Sequence, residues 1–76
     1  MRILLETLAR GLVNEPSRVR VHEHEEDGVV YLDLEVARAD RGRVIGRGGR
    51  TIDALRTLLR AVGDRAGTPC EVEVQE

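Results

Sequence analysis

Apolar residues change their spacing several times along this chain, and each change marks an element. Leu4, Leu5, Leu8, Leu12 and Val13 recur near helical spacing, with Arg2, Glu6, Thr7 and Arg10 mostly opposite, so residues 1–13 read as an amphipathic helix. Asn14-Glu15-Pro16 ends it, because the proline ring disfavours helical angles at Glu15. Alternation follows: Val19 and Val21 point one way, and Arg18, Arg20, His22 and His24 the other. Glu26-Asp27-Gly28 is a turn, with Asp-Gly as a hairpin signal. Val30, Leu32, Leu34 and Val36 then alternate with Val29, Tyr31, Asp33 and Glu35, the clearest strand in the chain. Alternation stops after Val36. Residues 37–45 fit a short helix, which Gly42 weakens. Ile52, Leu55, Leu58, Leu59 and Val62 mark one face of a longer helix over about 50–63, with Asp53, Arg56, Arg60 and Asp64 mostly elsewhere on its circumference. Residues 63–69 read as a loop, and Cys70, Val72 and Val74 alternate with Glu71, Glu73 and Gln75 in a closing strand.

The predicted order is helix, strand, strand, helix, helix, strand: an α+β fold. Each strand has one apolar row, so helices cover one face of a three-stranded sheet and the other face is wetter. Seventy-six residues suit one domain, 1–76, with a modest core. Phe and Trp are absent and Tyr31 is the only aromatic, so that core is aliphatic and there is no aromatic platform on which bases could stack. Cys70 falls on the buried row of its strand and reads as a small core residue. A single cysteine, no secretory leader and no long apolar run imply a cytoplasmic chain with no membrane partner.

Charge changes the picture. The formal balance is −2, which is unpromising for a polyanion partner, but it is unevenly spread. Residues 38–60 hold seven arginines (38, 41, 43, 47, 50, 56 and 60) against Asp40 and Asp53, a local balance of +5. The remainder stands at −7, and the local field rather than the net charge steers a charged partner. All twelve basic residues are arginine, which suits bidentate phosphate contacts and equally fits a GC-rich or heat-adapted genome.

The basic segment contains Val44-Ile45-Gly46-Arg47-Gly48-Gly49-Arg50-Thr51-Ile52. Glycines permit left-handed backbone and close approach of another molecule, and the helix that follows offers unpaired N–H groups and a positive dipole end. Arg43, Arg47 and Arg50 stand where an anion would arrive. The spacing Ile45-Gly46-x-x-Gly49 is that of the GXXG loop of KH domains, which clamps the backbone of single-stranded nucleic acid. A tight helix–turn–helix corner with a solvated arginine face would need the same glycines.

Order and motif together resemble a type II KH domain, in which αββααβ carries the GXXG loop between the second and third helices. The chain is similar to the small bacterial single-KH RNA-binding proteins of the KhpA family. The matching stretches are residues 4–13, Pro16, Val19-Arg20-Val21, Leu34-Glu35-Val36-Ala37, Gly42 to Gly46, Gly49-Arg50 and Ile52 to Leu59, which covers essentially the whole chain and implies a stand-alone KH protein. The family's usual glycine-lysine segments stand here as Gly42-Arg43 and Gly46-Arg47, and position 48, often polar in the family, is glycine, which implies a more flexible loop.

The resemblance implies that Gly46 to Gly49 run along the sugar–phosphate backbone, with main-chain N–H groups, Arg47 and Arg50 pairing phosphates. Val44, Ile45 and Ile52, with Thr51 in the same helix start and apolar residues of the adjacent strand such as Val36, would floor a groove for about four nucleotides. Arg38, Arg41 and Arg43 would extend the positive track. Single-stranded RNA is thus the expected ligand, bound weakly and with little sequence preference. The family also implies a homodimer or pairing with a larger KH-containing protein, in a regulatory or RNA-chaperone role. A protein–protein adaptor is the alternative from another class, and a sensor of a small phosphorylated ligand a third.

No other constellation carries chemistry. His22 and His24 share a strand face, as two metal ligands could, but no third ligand is framed, so they read as solvated edge residues. Asp33 and Glu35 are not paired with a nucleophile or base. The glycine turn lacks the lysine of a phosphate-binding P-loop, and Val44 stands where its first glycine belongs. The chain therefore reads as a non-enzyme without cofactor or metal.

Overall fold

The Asp27-Gly28 turn places two strands side by side and antiparallel. In the computed structural model, which describes residues 1–76, both turn residues have positive φ (52° and 80°), as the right-handed twist of a two-residue hairpin requires. Strand β1 (Arg20–Glu26) pairs antiparallel with β2 (Val29–Glu35), from Arg20 opposite Glu35 to Glu26 opposite Val29. Strand β3 (Cys70–Val74) pairs parallel with β2 on its other side, from Val30 opposite Cys70 to Leu34 opposite Val74. The sheet order is β1-β2-β3, so β2 is central and β3 is an edge.

Helix α1 (Arg2–Arg10), helix α2 (Arg41–Ile45) and helix α3 (Arg50–Arg65) complete the αββααβ order read from the sequence. Val30, Leu32, Leu34, Cys70 and Val72 are buried, together with Leu5 and Ala9 of α1 and Ile52, Leu55 and Leu59 of α3. The apolar rows therefore face the helices, and burial pushes the Cys70 thiol above its ordinary pKa.

Boundaries differ from the expectation in several places, the longest helix running on to Arg65 where the sequence predicts a loop from Gly63, and β1 taking in Glu26. The first helix stops at Arg10 rather than Val13, and the chain tightens there, with Gly11 N–H donating to the Leu8 carbonyl and Leu12 N–H to that of Ala9. Pro16–Arg18 form a short 3-10 turn where the sequence predicts only a break. The expected helix over 37–45 is divided into a 3-10 turn (Arg38–Asp40) and the five-residue α2. Gly42 is not the cause of that division. Asp40 turns inward, 1% exposed, and its carboxylate accepts the N–H groups of Asn14 (3.1 Å) and Glu15 (3.0 Å), lashing the end of α1's connection to the start of α2. A buried carboxylate with two such donors is satisfied rather than stranded.

The edge of β3 is partly covered. Arg56 of α3 donates from Nε to the Val72 carbonyl at 3.0 Å, and Arg60 donates to Glu71 at 2.9 Å, which raises the Arg60 pKa through that hydrogen bond and the adjacent charge. An edge strand capped by side chains is a poor template for a further strand.

Candidate nucleic-acid interface

Helix α2 leads into the turn at Ile45, and the backbone of Gly46 (φ 77°, ψ 169°) lies in a region open to glycine alone. A Cβ at Gly46 would overlap the Thr51 side chain and come within 2.8 Å of the Thr51 amide nitrogen. Two reasons, torsional and steric, thus require glycine there. Gly48 (φ 63°) and Gly49 (φ 79°) are left-handed too, but a Cβ on Gly48 would meet nothing within 4 Å. Gly48 therefore serves a defined left-handed backbone, where the sequence points only to extra flexibility.

The turn closes on itself through Gly46 N–H to the Gly42 carbonyl (2.8 Å) and Gly49 N–H to the Gly46 carbonyl (3.1 Å). The N–H groups of Arg47 and Gly48 take no part in the backbone bonding of the turn and remain available to an external acceptor. Such groups at the mouth of a helix favour an anion.

The seven arginines of the basic segment divide into two sets. Arg43, Arg56 and Arg60 are paired, with Asp40 (3.8 Å), with Asp53 (3.4 Å) and Glu73 (3.9 Å), and with Glu71 (2.9 Å). Arg38, Arg41, Arg47 and Arg50 have no carboxylate partner, and Arg38, Arg47 and Arg50 are exposed. Arg41 is half-buried, with its Nε enclosed and without a hydrogen-bond partner. Arg43 is drawn back towards the α1 connection, where the Asn14 side-chain oxygen accepts from its Nε and Nη2 at 3.2 Å in the amide orientation that satisfies both groups. It braces the corner through Asn14 and Asp40 while its side chain stays 56% exposed.

Beside the turn lies an open groove of about 250 Å³, lined by Ile45, Ile52, Arg56, Glu73, Val74 and Glu76. Ile45 is 37% exposed and supplies much of its apolar wall, while Ile52, 5% exposed, shows only an edge. Val44 and Val36 are buried in the core and do not line the groove. Val44 lies one residue before Ile45, so the helical turn points it inward, as an anchor beneath the corner. Val36 has already left β2. The strand wall is β3 instead, through Glu73 and Val74. Arg56, Glu73, Val74 and Glu76 are thus groove residues that sequence reasoning missed; the parallel pairing of β3 with β2, which makes it the edge beside α3, is the signal that would have found them.

Thr51 is half-buried, its side chain against the Gly46 backbone, so it shapes the turn more than it faces solvent. The two strand histidines are engaged elsewhere: His22 Nε2 lies 3.0 Å from Glu35 and His24 stacks on Tyr31 with ring centres 5.1 Å apart.

A three-stranded mixed sheet covered by three helices, with a glycine turn between the second and third and a groove beside it, has the form of a KH domain. The chain belongs to the KhpA/KhpB family of KH domains: the family model for that domain matches residues 2–74. It is 37% identical over 76 residues to the RNA-binding protein KhpA of Chlamydia pneumoniae, covering 100% of this chain and 97% of that protein. It is 39% identical to the RNA-binding protein KhpA of Clostridium acetobutylicum over 74 residues (97% and 99% covered), and 44% identical to that of Thermotoga maritima over 62 residues (82% and 83%). No helix of the structure is long and apolar enough to cross a membrane.

Proposed function

We propose that the chain is a cytoplasmic RNA-binding protein that holds a short single strand along the α2–turn–α3 corner. The observation that carries this reading is the coincidence of exposed, unpaired Arg47 and Arg50 with two free N–H groups on the turn, next to an apolar groove. Arg47, Arg50 and the N–H groups of Arg47 and Gly48 take phosphates, and Ile45 and Val74 take the face of a base. With no aromatic platform and most contacts to the backbone, affinity is modest and owes little to sequence. The relatives' shared description as RNA-binding proteins supports the choice of RNA. Fluorescence anisotropy with a short unstructured RNA and with its duplex tests it: the single strand binds, and the duplex binds worse because a narrow groove admits splayed nucleotides rather than a helix. Equal or better binding of duplex would sink the assignment.

We further infer a homodimer, or pairing with a larger KH-containing protein, acting in post-transcriptional regulation or as an RNA chaperone. Ile3 (68% exposed), Leu12 (37%) and Leu58 (43%) are large apolar side chains left in solvent, the kind of surface that association buries. The same residues support the alternative reading of a protein–protein adaptor. Sedimentation at tens of micromolar decides between association and a purely monomeric chain.

A further inference from the structure

We propose that Arg56 and Glu73 form a base-reading pair in the groove, favouring a base that presents adjacent donors beside acceptors, guanine above all, and ranking uracil last. This rests on the RNA-binding reading above and adds to it a preference at one nucleotide.

Arg56 is placed for the task by its own backbone contact. Its Nε is committed to the Val72 carbonyl at 3.0 Å, which fixes the plane of the guanidinium against the β3 edge. The terminal nitrogens then face Asp53 Oδ1 at 3.4 Å and Glu73 Oε2 at 3.9 Å. Charge-assisted N–H···O bonds are about 2.7–2.9 Å long, so neither pairing uses the fork fully. Glu73 is free in the same sense: its side chain is 69% exposed and its closest cationic partner is the one at 3.9 Å. Both groups line the groove and both keep hydrogen-bonding capacity.

Carboxylates in an RNA groove need a reason. Glu73 and Glu76 would repel a phosphate, and the phosphate-binding groups stand on the turn instead. Against a base the sign reverses, because a carboxylate is an acceptor only and a guanidinium a donor only. Guanine meets both: N1–H and the N2 amino group face a carboxylate, while O6 and N7 accept from a guanidinium. Cytosine and adenine each present one amino group with neighbouring acceptors, and satisfy the pair in part. Uracil presents its single N3–H between two carbonyl oxygens, which Glu73 repels. The expected order is guanine first, cytosine and adenine between, uracil last.

The test uses short uridine oligomers in which one central position is guanosine, inosine, cytidine, adenosine or uridine, read by fluorescence anisotropy on the full chain. Guanosine is expected to bind about fivefold better than uridine, the low end of what a bidentate base contact supplies in a solvated groove. Inosine, which lacks the N2 amino group, falls between them. Glu73→Gln and, independently, Arg56→Gln bring the guanosine-to-uridine ratio towards one. The ratio is the readout, so a general change in affinity from altered charge, or a loss of stability where Arg56 caps the strand, does not mimic the result. Glu73 is exposed, so its variant keeps the fold. Wild-type protein that binds all the oligomers alike, or a guanosine preference that survives both substitutions, would overturn the pair while leaving the RNA-binding reading standing. Failure to bind any oligomer would overturn that reading and this inference with it.

Discussion

Two faces of this small domain carry ionisable side chains and treat them differently. On the open face of the sheet, the two histidines have neighbours at hand, His22 lying 3.0 Å from Glu35 and His24 approaching Glu26 at 4.0 Å and stacking on Tyr31, while Arg20 turns to the Ser17 and Val19 carbonyls. At the α2–turn–α3 corner, Arg38, Arg47 and Arg50 stand exposed with no carboxylate partner. Both faces are rich in ionisable groups, so composition does not separate them. The difference lies in what is left unneutralised. A corner of exposed arginines with no carboxylate opposite them presents a positive field to an anion, whereas the open sheet face, with Glu26, Asp33 and Glu35 against Arg20, does not.

The backbone shows the largest contrast, and it lies within the corner itself. Gly46→Ala would force a Cβ against Thr51 at a backbone angle only glycine adopts. The expected cost is roughly 2–4 kcal/mol, from strain and displaced packing together. Gly48→Ala meets open space and carries only the left-handed penalty, about 1 kcal/mol. Chemical denaturation of the two variants checks this, and equal losses would mean that Thr51 does not pack on the turn as described.

Charge reversal at the turn comes next. Arg47→Asp with Gly48→Asp places two carboxylates where phosphates are expected, and aspartate tolerates the left-handed angle better than most residues. RNA affinity should fall roughly 10- to 100-fold, the worth of one or two charge-assisted hydrogen bonds exchanged for repulsion. The circular dichroism spectrum should be unchanged. Wild-type affinity in a folded double variant would remove the corner from the binding surface and erase the contrast between the two faces.

How much of this contrast is legible in the sequence depends on the range of the interaction. Local periodicity locates every strand and the first and third helices, because alternation over residues 29–36 and the helical spacing from Ile52 to Val62 reflect one buried face each. The hairpin is legible in two letters, Asp27-Gly28. Long-range interactions are not. Asp40, which divides the expected helix by bonding Asn14 and Glu15, is an ordinary acid in a basic stretch until the chain connection is seen to pass over it. The same holds for Arg43 and Arg56: all seven arginines of the segment look alike in sequence, and only the fold separates the braced from the free. Motif position places Val36 and Val44 in the groove because it says nothing of which way a side chain turns, and the true strand wall belongs to β3, far downstream of both.

That separation sharpens into a salt-dependence experiment. Arg47 and Arg50 alone would neutralise about two phosphates, and Arg38 and Arg41 would bring the number to about four, giving log–log slopes between roughly −1.4 and −2.8 on a single strand. Arg38→Ala with Arg41→Ala should lower the slope by up to about 1.4 if both touch the strand, whereas Arg43→Ala should leave the slope unchanged because that side chain is turned to Asn14 and Asp40. A slope that responds to Arg43 as strongly as to Arg38 and Arg41 would mean that the pairing in the free protein does not govern which arginines meet RNA.

The smallest expected effect falls on the other face, and its smallness is the point. His22→Ala removes a cross-strand pair in which both side chains are about half exposed, His22 at 59% and Glu35 at 48%. Exposed pairs are worth between nothing and about 1 kcal/mol, because water screens them and two side chains lose freedom to make them. Thermal denaturation should therefore shift little, and Glu35→Gln should behave the same way. Neither side chain lines the groove, so RNA affinity should stay within about twofold of wild type, below what removing a phosphate-binding group would produce. A larger fall in affinity in either variant, with stability intact, would place RNA on the open sheet face and reverse the roles assigned to the two surfaces.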